Sequence, residues 1–468
     1  MVMKLLNKHN INSNYFKATG LYTIGNFFNK AVSLLLLPIF TRLLSTSSYG
    51  VVSTYLSWVN IFVIIIGAEL NLTLRSAYSD YKNELNSYIY SINYLTTVIF
   101  FATLTITLII TKIFFSKQIA VLSFFCLYQA YLSAIINVEL QKQMMALEYV
   151  KRTVLLILPN LISALLGVAI ILIWPSTDYM GRIITMVFVY TIIGGYLLIK
   201  YWKNRKSKNT YRYWKYALSY SLPLIFHGLA GVLLNNIDKT MVTTLRSAEE
   251  TGIYSVAYTM GMALIAVTSA LESVWIPWFT KMMNLGKKEA VNQIGSLYIY
   301  SGTFVCVAAM MCLPEILKLF SEKSYWDAIY ILPPIVLASF IVFLFTISAN
   351  IEYYYKSTKQ IATNTIVATV LNIILNYIFI PSYGAIAAAY TTVVSYIVSF
   401  ILHYLHARKL DKSIFNTKMY CIPLVLVTIS TIITYFLINN AIARWIIALT
   451  SMIVFAAILM RNKDNLKN

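Results

Sequence analysis

The sequence predicts an all-α integral membrane protein of about fourteen transmembrane helices, and three observations lead to this prediction. Of the 468 residues, 59% are hydrophobic and 12% are charged, whereas soluble domains carry roughly 25% charged residues. The apolar residues form repeated stretches of roughly 18 to 28, each long enough to cross a hydrocarbon core as a helix. Lysines and arginines concentrate between the stretches. Because lipid offers the backbone no hydrogen-bond partner, the spanning segments must be helical.

The hydrophobic stretches set the expected helix positions. They are 15–40, 49–73, 87–111, 115–138, 154–174, 182–201, 217–240, 253–280, 293–313, 330–350, 362–381, 384–406, 419–437 and 441–460.

The charges alternate from loop to loop along this series. Most of the 37 lysines and arginines fall on the side that holds the N-terminus and both of its lysines, Lys4 and Lys8. The positive-inside rule assigns that side to the cytoplasm, and an even number of helices returns the C-terminus to it. The net charge of +20 is therefore explained by topology, and no nucleic-acid partner is expected.

The most polar interruption divides the chain. It is the basic run Lys200–Lys215, which either contacts anionic lipids or is a solvated linker. The predicted organisation is an N-terminal six-helix lobe at 1–202, a basic cytoplasmic linker at 203–216, a C-terminal six-helix lobe at 217–410, and helices 13 and 14 with a cytoplasmic tail at 411–468. The last pair is expected to have a packing or lipid-facing role.

A weak internal repeat relates the two lobes. Gly50 and Ser53 correspond to Gly252 and Ser255, and Glu69 has a counterpart in Glu272 that is one residue out of step. Six helices is an even number, so the lobes have the same orientation and are pseudo-symmetric about an axis along the membrane normal. Such repeats are typical of transporters that bind substrate between lobes.

Polar residues inside predicted spans are candidates for function because they are costly in a membrane. Asn26 and Lys30 share a face of the first helix, and His227, Asn235 and Asp238 share a face of the seventh. The two stripes suggest a common interior cleft. Lys30 either lines that cleft or is satisfied structurally by a neighbouring carboxylate.

Other candidates lie near helix ends, and each also has a structural interpretation. The guanidinium of Arg75 could bind a phosphate, although the positive-inside rule alone would place an arginine at this cytoplasmic helix end. The position of Lys239 near the outer end of its helix is explained equally well by snorkelling of its side chain to the membrane surface. Asn372 and Asn376 either bind sugar hydroxyls or join helices. The candidates for the substrate cavity are Asn26, Lys30, Arg42, Arg75, His227, Asn235, Asp238, Lys239, Asn372 and Asn376. Glu69 and Glu272 either couple transport to a proton or sodium ion, or pair with nearby bases.

The sequence lacks several motifs that would indicate catalysis or metal binding. There is no phosphate-cradling glycine-rich loop and no metal-ligand cluster, and the four cysteines have no metal-ligand spacing. The outer loops are short, whereas an integral-membrane polysaccharide polymerase would expose a long one. We therefore expect a transport protein rather than an enzyme, with no cofactor and no metal.

The sequence resembles the polysaccharide (O-antigen type) flippases of the multidrug, oligosaccharidyl-lipid and polysaccharide exporter superfamily. The residues that carry the resemblance are Leu37–Ser45, Tyr49, Gly50, Ser221–Ile225, Asp238, Gly252–Ser255, Lys356–Lys359, Leu371–Tyr377 and Ile380–Gly384. The sequence departs from the family pattern at Ala385–Ala389, where a Gly-Ala pair is more usual.

The resemblance implies a function and a location. It implies a bacterial inner-membrane protein with cytoplasmic termini that moves an undecaprenyl-pyrophosphate-linked oligosaccharide to the outer leaflet by alternating access, for O-antigen, capsule or a related surface polysaccharide. Its partners would be that glycan, membrane lipids, a polysaccharide polymerase and other assembly proteins. Lys30 would supply positive charge to the diphosphate in a low-dielectric cleft.

The main alternative is a multidrug or toxic-compound cation antiporter of the same superfamily. Such an antiporter would favour buried carboxylates over a buried lysine, and Lys30 has no nearby acid in its own helix. The identity of the oligosaccharide, the driving force and the oligomeric state are not encoded in any motif of the chain.

Overall fold

A computed structural model describes residues 32–205 and 210–461 of the chain. Asn26 and Lys30 lie outside these residues. Within the described ranges the chain forms helices joined by short turns, and it contains no β-strand.

Each predicted span has a helical counterpart. The helices are α1 (Val32–Leu43), α2 (Thr46–Gly67), α3 (Leu85–Phe114), α4 (Lys117–Met145), α5 (Tyr149–Ile173), α6 (Asp178–Lys203), α7 (Thr210–Leu245), α8 (Ala248–Asn284), α9 (Lys288–Phe320), α10 (Ala328–Tyr354), α11 (Thr358–Tyr383), α12 (Ala385–Leu410), α13 (Thr417–Phe436) and α14 (Ala441–Arg461). In the described residues, 12 helices are long and apolar enough to cross a membrane, and α1 and α14 contribute shorter apolar segments. The prediction of an all-α membrane protein is confirmed.

The second helix ends earlier than predicted. It stops at Gly67, and Ala68 and Glu69 follow with φ angles of 45° and 51°. Left-handed backbone is uncommon for residues other than glycine and costs of order 1–3 kcal/mol. A 3₁₀ turn at Leu70–Thr73 and a short helix at Leu74–Asp80 then continue the chain. Leu70 and Leu74 are fully buried, so their hydropathy reflects packing of this turn rather than a longer span.

Helices α7 and α8 are longer than predicted, at 36 and 37 residues. At 1.5 Å per residue each is about 55 Å long, whereas the hydrocarbon core is about 30 Å thick. Hydropathy detects only the apolar middle of such a helix, and the polar ends continue beyond it.

The described chain divides into two compact units. Unit one contains Tyr55–Val232 and the described residues up to Leu36, and unit two contains Leu37–Thr54 and the chain from Leu233 onward. These boundaries fall inside α2 and α7. They follow contacts rather than chain order, so the division into lobes at 1–202 and 217–410 stays a prediction.

An aromatic cluster holds the short turn after α2 within unit one. Tyr81 stacks on Tyr88 with ring centroids 5.2 Å apart, and Tyr213 meets both rings edge-on. The Tyr213 hydroxyl donates to Glu84 at 2.6 Å, and Tyr88 and Thr73 share a hydrogen bond of 2.6 Å. The start of α7 is thereby fixed to the start of α3.

Helix α10 is the centre of unit two. Its apolar window is 83% buried, which is expected for a helix that is hydrophobic on all sides. Helix α14 also joins this unit through Arg444, which is 1% exposed and forms an ion pair with Glu315 of α9. Of the two roles expected for the last helix pair, this buried charge supports packing.

Two glycines bring α2 and α8 into close contact within unit two. A Cβ added at Gly50 would overlap the carbonyl oxygen of Ala248, and one added at Gly252 would overlap the carbonyl oxygen of Thr46. The contact is reciprocal, as in an isologous interface, and it joins the two glycines that the sequence repeat pairs. Only glycine allows backbones to approach this closely.

We predict that Gly50→Ala destabilises the protein, because the added methyl group meets backbone that cannot turn aside. Overpacking of this kind costs about 1–3 kcal/mol, so the melting temperature of the detergent-solubilised protein should fall. Gly195→Ala is the matched control, since a Cβ there meets nothing within 4 Å. Equal melting temperatures for the two variants would contradict the prediction.

Candidate functional site

The structure brings together three of the predicted site residues, Asp238, Asn372 and Asn376. The Asp238 carboxylate accepts hydrogen bonds from Asn376 Nδ2 at 2.7 Å, Thr392 Oγ1 at 2.6 Å and the Tyr254 hydroxyl at 2.8 Å. Asn376 Nδ2 also lies 3.2 Å from Asn372 Oδ1. We call these five residues the Asp238 cluster.

Four helices position the cluster inside unit two. Asp238 lies on α7, Tyr254 on α8 and Thr392 on α12. Asn372 and Asn376 lie one turn apart on α11 and therefore share a face. No member is more than 1% exposed. Both carboxylate oxygens of Asp238 accept hydrogen bonds from neighbouring helices. That Asp238 faces a cleft shared with the first helix stays a prediction.

The Asp238 carboxylate has no positively charged partner among the described residues. No Lys, Arg or His among the residues described lies within 4.0 Å of the carboxylate. Lys239, the next residue, instead places its ammonium over the ring of Tyr258, 4.8 Å from the centroid. A buried, unpaired carboxylate is costly. Carboxylate, carboxamide and hydroxyl oxygens are ligands for a hard cation, and the carboxylate can alternatively hold a proton.

The remaining predicted residues of α7 have different surroundings. Asn235 is exposed; its backbone oxygen accepts from Tyr258 at 2.9 Å and its side chain from Tyr396 at 3.2 Å. His227 is half-buried, and its Nδ1 has no partner among the described residues. The polar stripe on α7 therefore runs from an unpaired histidine to a fully bonded aspartate.

Glu69 and Arg75 lie in the turn after α2. The Glu69 carboxylate packs against Gly228 of α7, where a Cβ would overlap Oε1. Burial raises the pKa of Glu69 above its ordinary value, and the positive charge of Arg75 opposes this effect. Glu272 lies differently, inside the continuous helix α8, and is half-buried. The two predicted coupling residues are thus not structurally equivalent.

The Arg42 side chain contacts backbone oxygens rather than lining an open cavity. Its guanidinium donates to the carbonyl oxygens of Pro38 at 2.9 Å and of Leu319 at 3.3 Å, in the last turn of α9. Arginine side chains commonly satisfy the free carbonyls of a helix C-terminus. The Tyr325 hydroxyl similarly donates to the carbonyl oxygen of Leu44 at 2.9 Å. Arg42 therefore helps to fix the α1–α2 turn within unit two.

Two parts of this region are not among the residues predicted from the sequence. Tyr254 and Thr392 complete the Asp238 cluster; Tyr254 lies between the repeat residues Gly252 and Ser255, and Thr392 belongs to a threonine pair in an apolar helix. Glu352 and His403 form a second buried pair with a 2.5 Å contact, joining α10 to α12. Only the polarity of these residues inside apolar segments could have indicated them.

The fold is shared with membrane transport proteins. The lipid II flippase MurJ in its inward closed conformation matches with a TM-score of 0.69 and 15% identity over 94% of this chain and 99% of that one. MATE in complex with MaL6 matches with a TM-score of 0.53 and 16% identity over 85% of this chain and 96% of that one. At these identities the likeness establishes the fold alone.

The family follows from the sequence match. The model of the polysaccharide biosynthesis protein family matches residues 16–283, and the chain belongs to that family. The Haemophilus influenzae Lsg locus putative protein 1 is 22% identical over 370 residues, which cover 76% of this chain and 89% of that protein. The probable low-salt glycan biosynthesis flippase Agl15 of Haloferax volcanii is 22% identical over 46% of this chain and 48% of that protein. The predicted family is confirmed.

We predict that Asp238→Ala destabilises the protein far more than Asp238→Asn. The alanine leaves the Tyr254 hydroxyl buried without its acceptor, at about 1–3 kcal/mol. Thr392 Oγ1 keeps the carbonyl oxygen of Ala388 at 2.8 Å, and Asn376 Nδ2 keeps Asn372 Oδ1 at 3.2 Å. Asparagine retains one acceptor oxygen and nearly the same volume. Melting temperatures of the detergent-solubilised variants test this, and an unchanged value for Asp238→Ala would show that the cluster contributes no stability.

Proposed function

We propose that the protein translocates undecaprenyl-pyrophosphate-linked oligosaccharide repeat units from the cytoplasmic to the outer leaflet of the bacterial inner membrane. Membership of the polysaccharide biosynthesis family carries this proposal. The likeness of fold to a lipid II flippase and the sequence similarity to a glycan biosynthesis flippase support it. The glycan serves an O-antigen, capsule or related surface polymer, and a polymerase receives it on the outer side.

The substrate headgroup requires positive charge. A diphosphate in a low-dielectric cavity is stabilised only where cations or donors replace its water. Lys30 is the cation placed deepest in a predicted span, and we assign the diphosphate to it. Arg75, exposed after α2 on the side rich in basic loops, first meets the headgroup.

Alternating access needs a contact that opens. Leu37–Thr54 belongs to unit two together with the starts of α8 and α10, and the positive-inside rule places all of these on the outer side. Gly50 and Gly252 form the close approach there, and Thr243 Oγ1 lies 2.6 Å from Thr54 and 2.7 Å from Thr251. We assign the outer gate to this contact.

The Asp238 cluster is our candidate for coupling. A carboxylate that is buried in a membrane span without a cationic partner favours binding of a proton or a monovalent cation. Loading the cluster would neutralise Asp238 and alter the packing of α7 against α11 and α12, which are the elements it joins. Glu69, with its raised pKa, remains a second candidate.

We predict that Lys30→Ala abolishes translocation while leaving the protein inserted. The full chain is reconstituted in proteoliposomes with a fluorescent polyprenyl-pyrophosphate-linked oligosaccharide, and translocation is followed by dithionite quenching. Losing a charge-assisted interaction is worth about 1.5–3 kcal/mol, so the rate should fall at least tenfold. Lys112→Ala, which removes an exposed lysine at the far end of α3, is the control.

Two results would count against this function. Normal translocation by Lys30→Ala would remove Lys30 from the mechanism. Failure of the unmodified protein to move the lipid, combined with export of an organic dye cation from the same vesicles, would favour the multidrug antiporter.

We predict that translocation depends on a sodium or proton gradient and that Asp238→Asn removes this dependence. Asparagine preserves the packing but carries no titratable or anionic group. Rates are measured in the same vesicles with a sodium gradient, a proton gradient or neither. An unchanged gradient response in Asp238→Asn would place coupling elsewhere, with Glu69→Gln as the next variant to measure.

A further inference from the structure

A small cavity lies between α3 and α6 in unit one, away from every residue assigned above. Its volume is about 140 Å³, and its walls include the rings of Tyr90, Tyr94, Tyr201 and Trp202. Trp214 extends the aromatic wall by stacking on Tyr94 with ring centroids 5.9 Å apart. The cavity lies where α3 begins and α6 ends, on the side rich in basic loops.

An unsatisfied amide lines this cavity. Asn93 is 3% exposed, and neither its Nδ2 nor its Oδ1 has a hydrogen-bond partner among the described residues. Leaving both groups buried and unpaired is unfavourable. A polar group so placed indicates a ligand that supplies hydrogen bonds.

The guanidinium of Arg205 lies over two of the aromatic rings that line the cavity. The guanidinium carbon of Arg205 lies 4.6 Å from the ring centroid of Tyr90 and 5.5 Å from that of Trp202. No carboxylate in the described ranges forms an ion pair with Arg205, and the nearby Glu139 is engaged by Lys200 at 2.9 Å and by Tyr201. The guanidinium therefore keeps donors available for an anion.

The position of the cavity matches the headgroup layer of a membrane. The span that contains α3 is 33 residues long, or about 50 Å, so its first turns extend beyond a hydrocarbon core about 30 Å thick. Tyr94 and Trp202 are 49% and 54% exposed and face outward at the depth of an aromatic belt. Deeper along the same helices the exposed residues are apolar, Val98 and Ile199 among them.

We propose that this cavity binds the headgroup phosphate of an acidic phospholipid from the cytoplasmic leaflet. Arg205 holds the phosphate, Asn93 bonds the polar headgroup, and the acyl chains lie along the exposed apolar faces of α3 and α6. This inference goes beyond translocation, because the site contains none of the residues assigned to translocation and would hold a resident lipid. It also assigns a ligand to Arg205, a member of the basic run Lys200–Lys215.

The experiment measures lipid retention by the full-length protein. Native mass spectrometry of the detergent-purified chain is carried out with added phosphatidylglycerol, phosphatidylcholine or inorganic phosphate. We expect phosphatidylglycerol adducts in preference to phosphatidylcholine, and an approximately tenfold loss of affinity in Arg205→Gln. Asn93→Leu, which keeps the branched shape and removes the hydrogen-bonding groups, should weaken binding as well.

Lys203→Gln is the matched control, because it removes the same charge two residues away from an exposed position outside the cavity wall. Equal losses in Arg205→Gln and Lys203→Gln would show a general charge effect and overturn the site. Equal retention of phosphatidylcholine would also overturn it. Arg205-dependent binding of inorganic phosphate that matches the lipid would overturn the assignment to a phospholipid. Translocation assays report on the proposed function separately, since this site contains none of its residues.

Discussion

Every polar group inside a membrane must find its partner within the protein, and the structure depends on this constraint. The backbone meets it by forming helices, which leaves the polar side chains to be satisfied between helices. Asp238 reaches residues on three other helices, Glu352 reaches His403, and Arg444 reaches Glu315. These contacts fix which helices are neighbours in unit two, because apolar surfaces in lipid provide little preference among partners.

The same constraint separates structural polar groups from functional ones. Arg42 donates to carbonyl oxygens, and Arg444 forms an ion pair with a carboxylate. The Asp238 cluster has complete hydrogen bonds but an uncompensated charge, and the cavity beside Arg205 has a free charge and an unsatisfied amide. Our two binding proposals rest on this incomplete charge pairing and hydrogen bonding.

The sequence predicts the helices well because hydropathy is a local property, and each described span lies where an apolar stretch indicates it. The sequence predicts the ends of the helices poorly. Hydropathy does not show that a helix continues beyond its apolar stretch, as α7 does, or that it stops before the stretch ends, as α2 does at Gly67. The sequence predicts that Asn372 and Asn376 share a face of α11, but it does not predict that they contact Asp238 on α7. Such pairing depends on tertiary packing, which local periodicity does not contain.

The reciprocal contact between α2 and α8 has a consequence for how relatives of this protein can diverge. Gly50 faces the backbone before Gly252, and Gly252 faces the backbone before Gly50. A side chain at either position requires the two helices to move apart. Once they have moved apart, the other position no longer requires glycine. The two positions are therefore coupled, and we expect natural sequences to keep both glycines or lose them together.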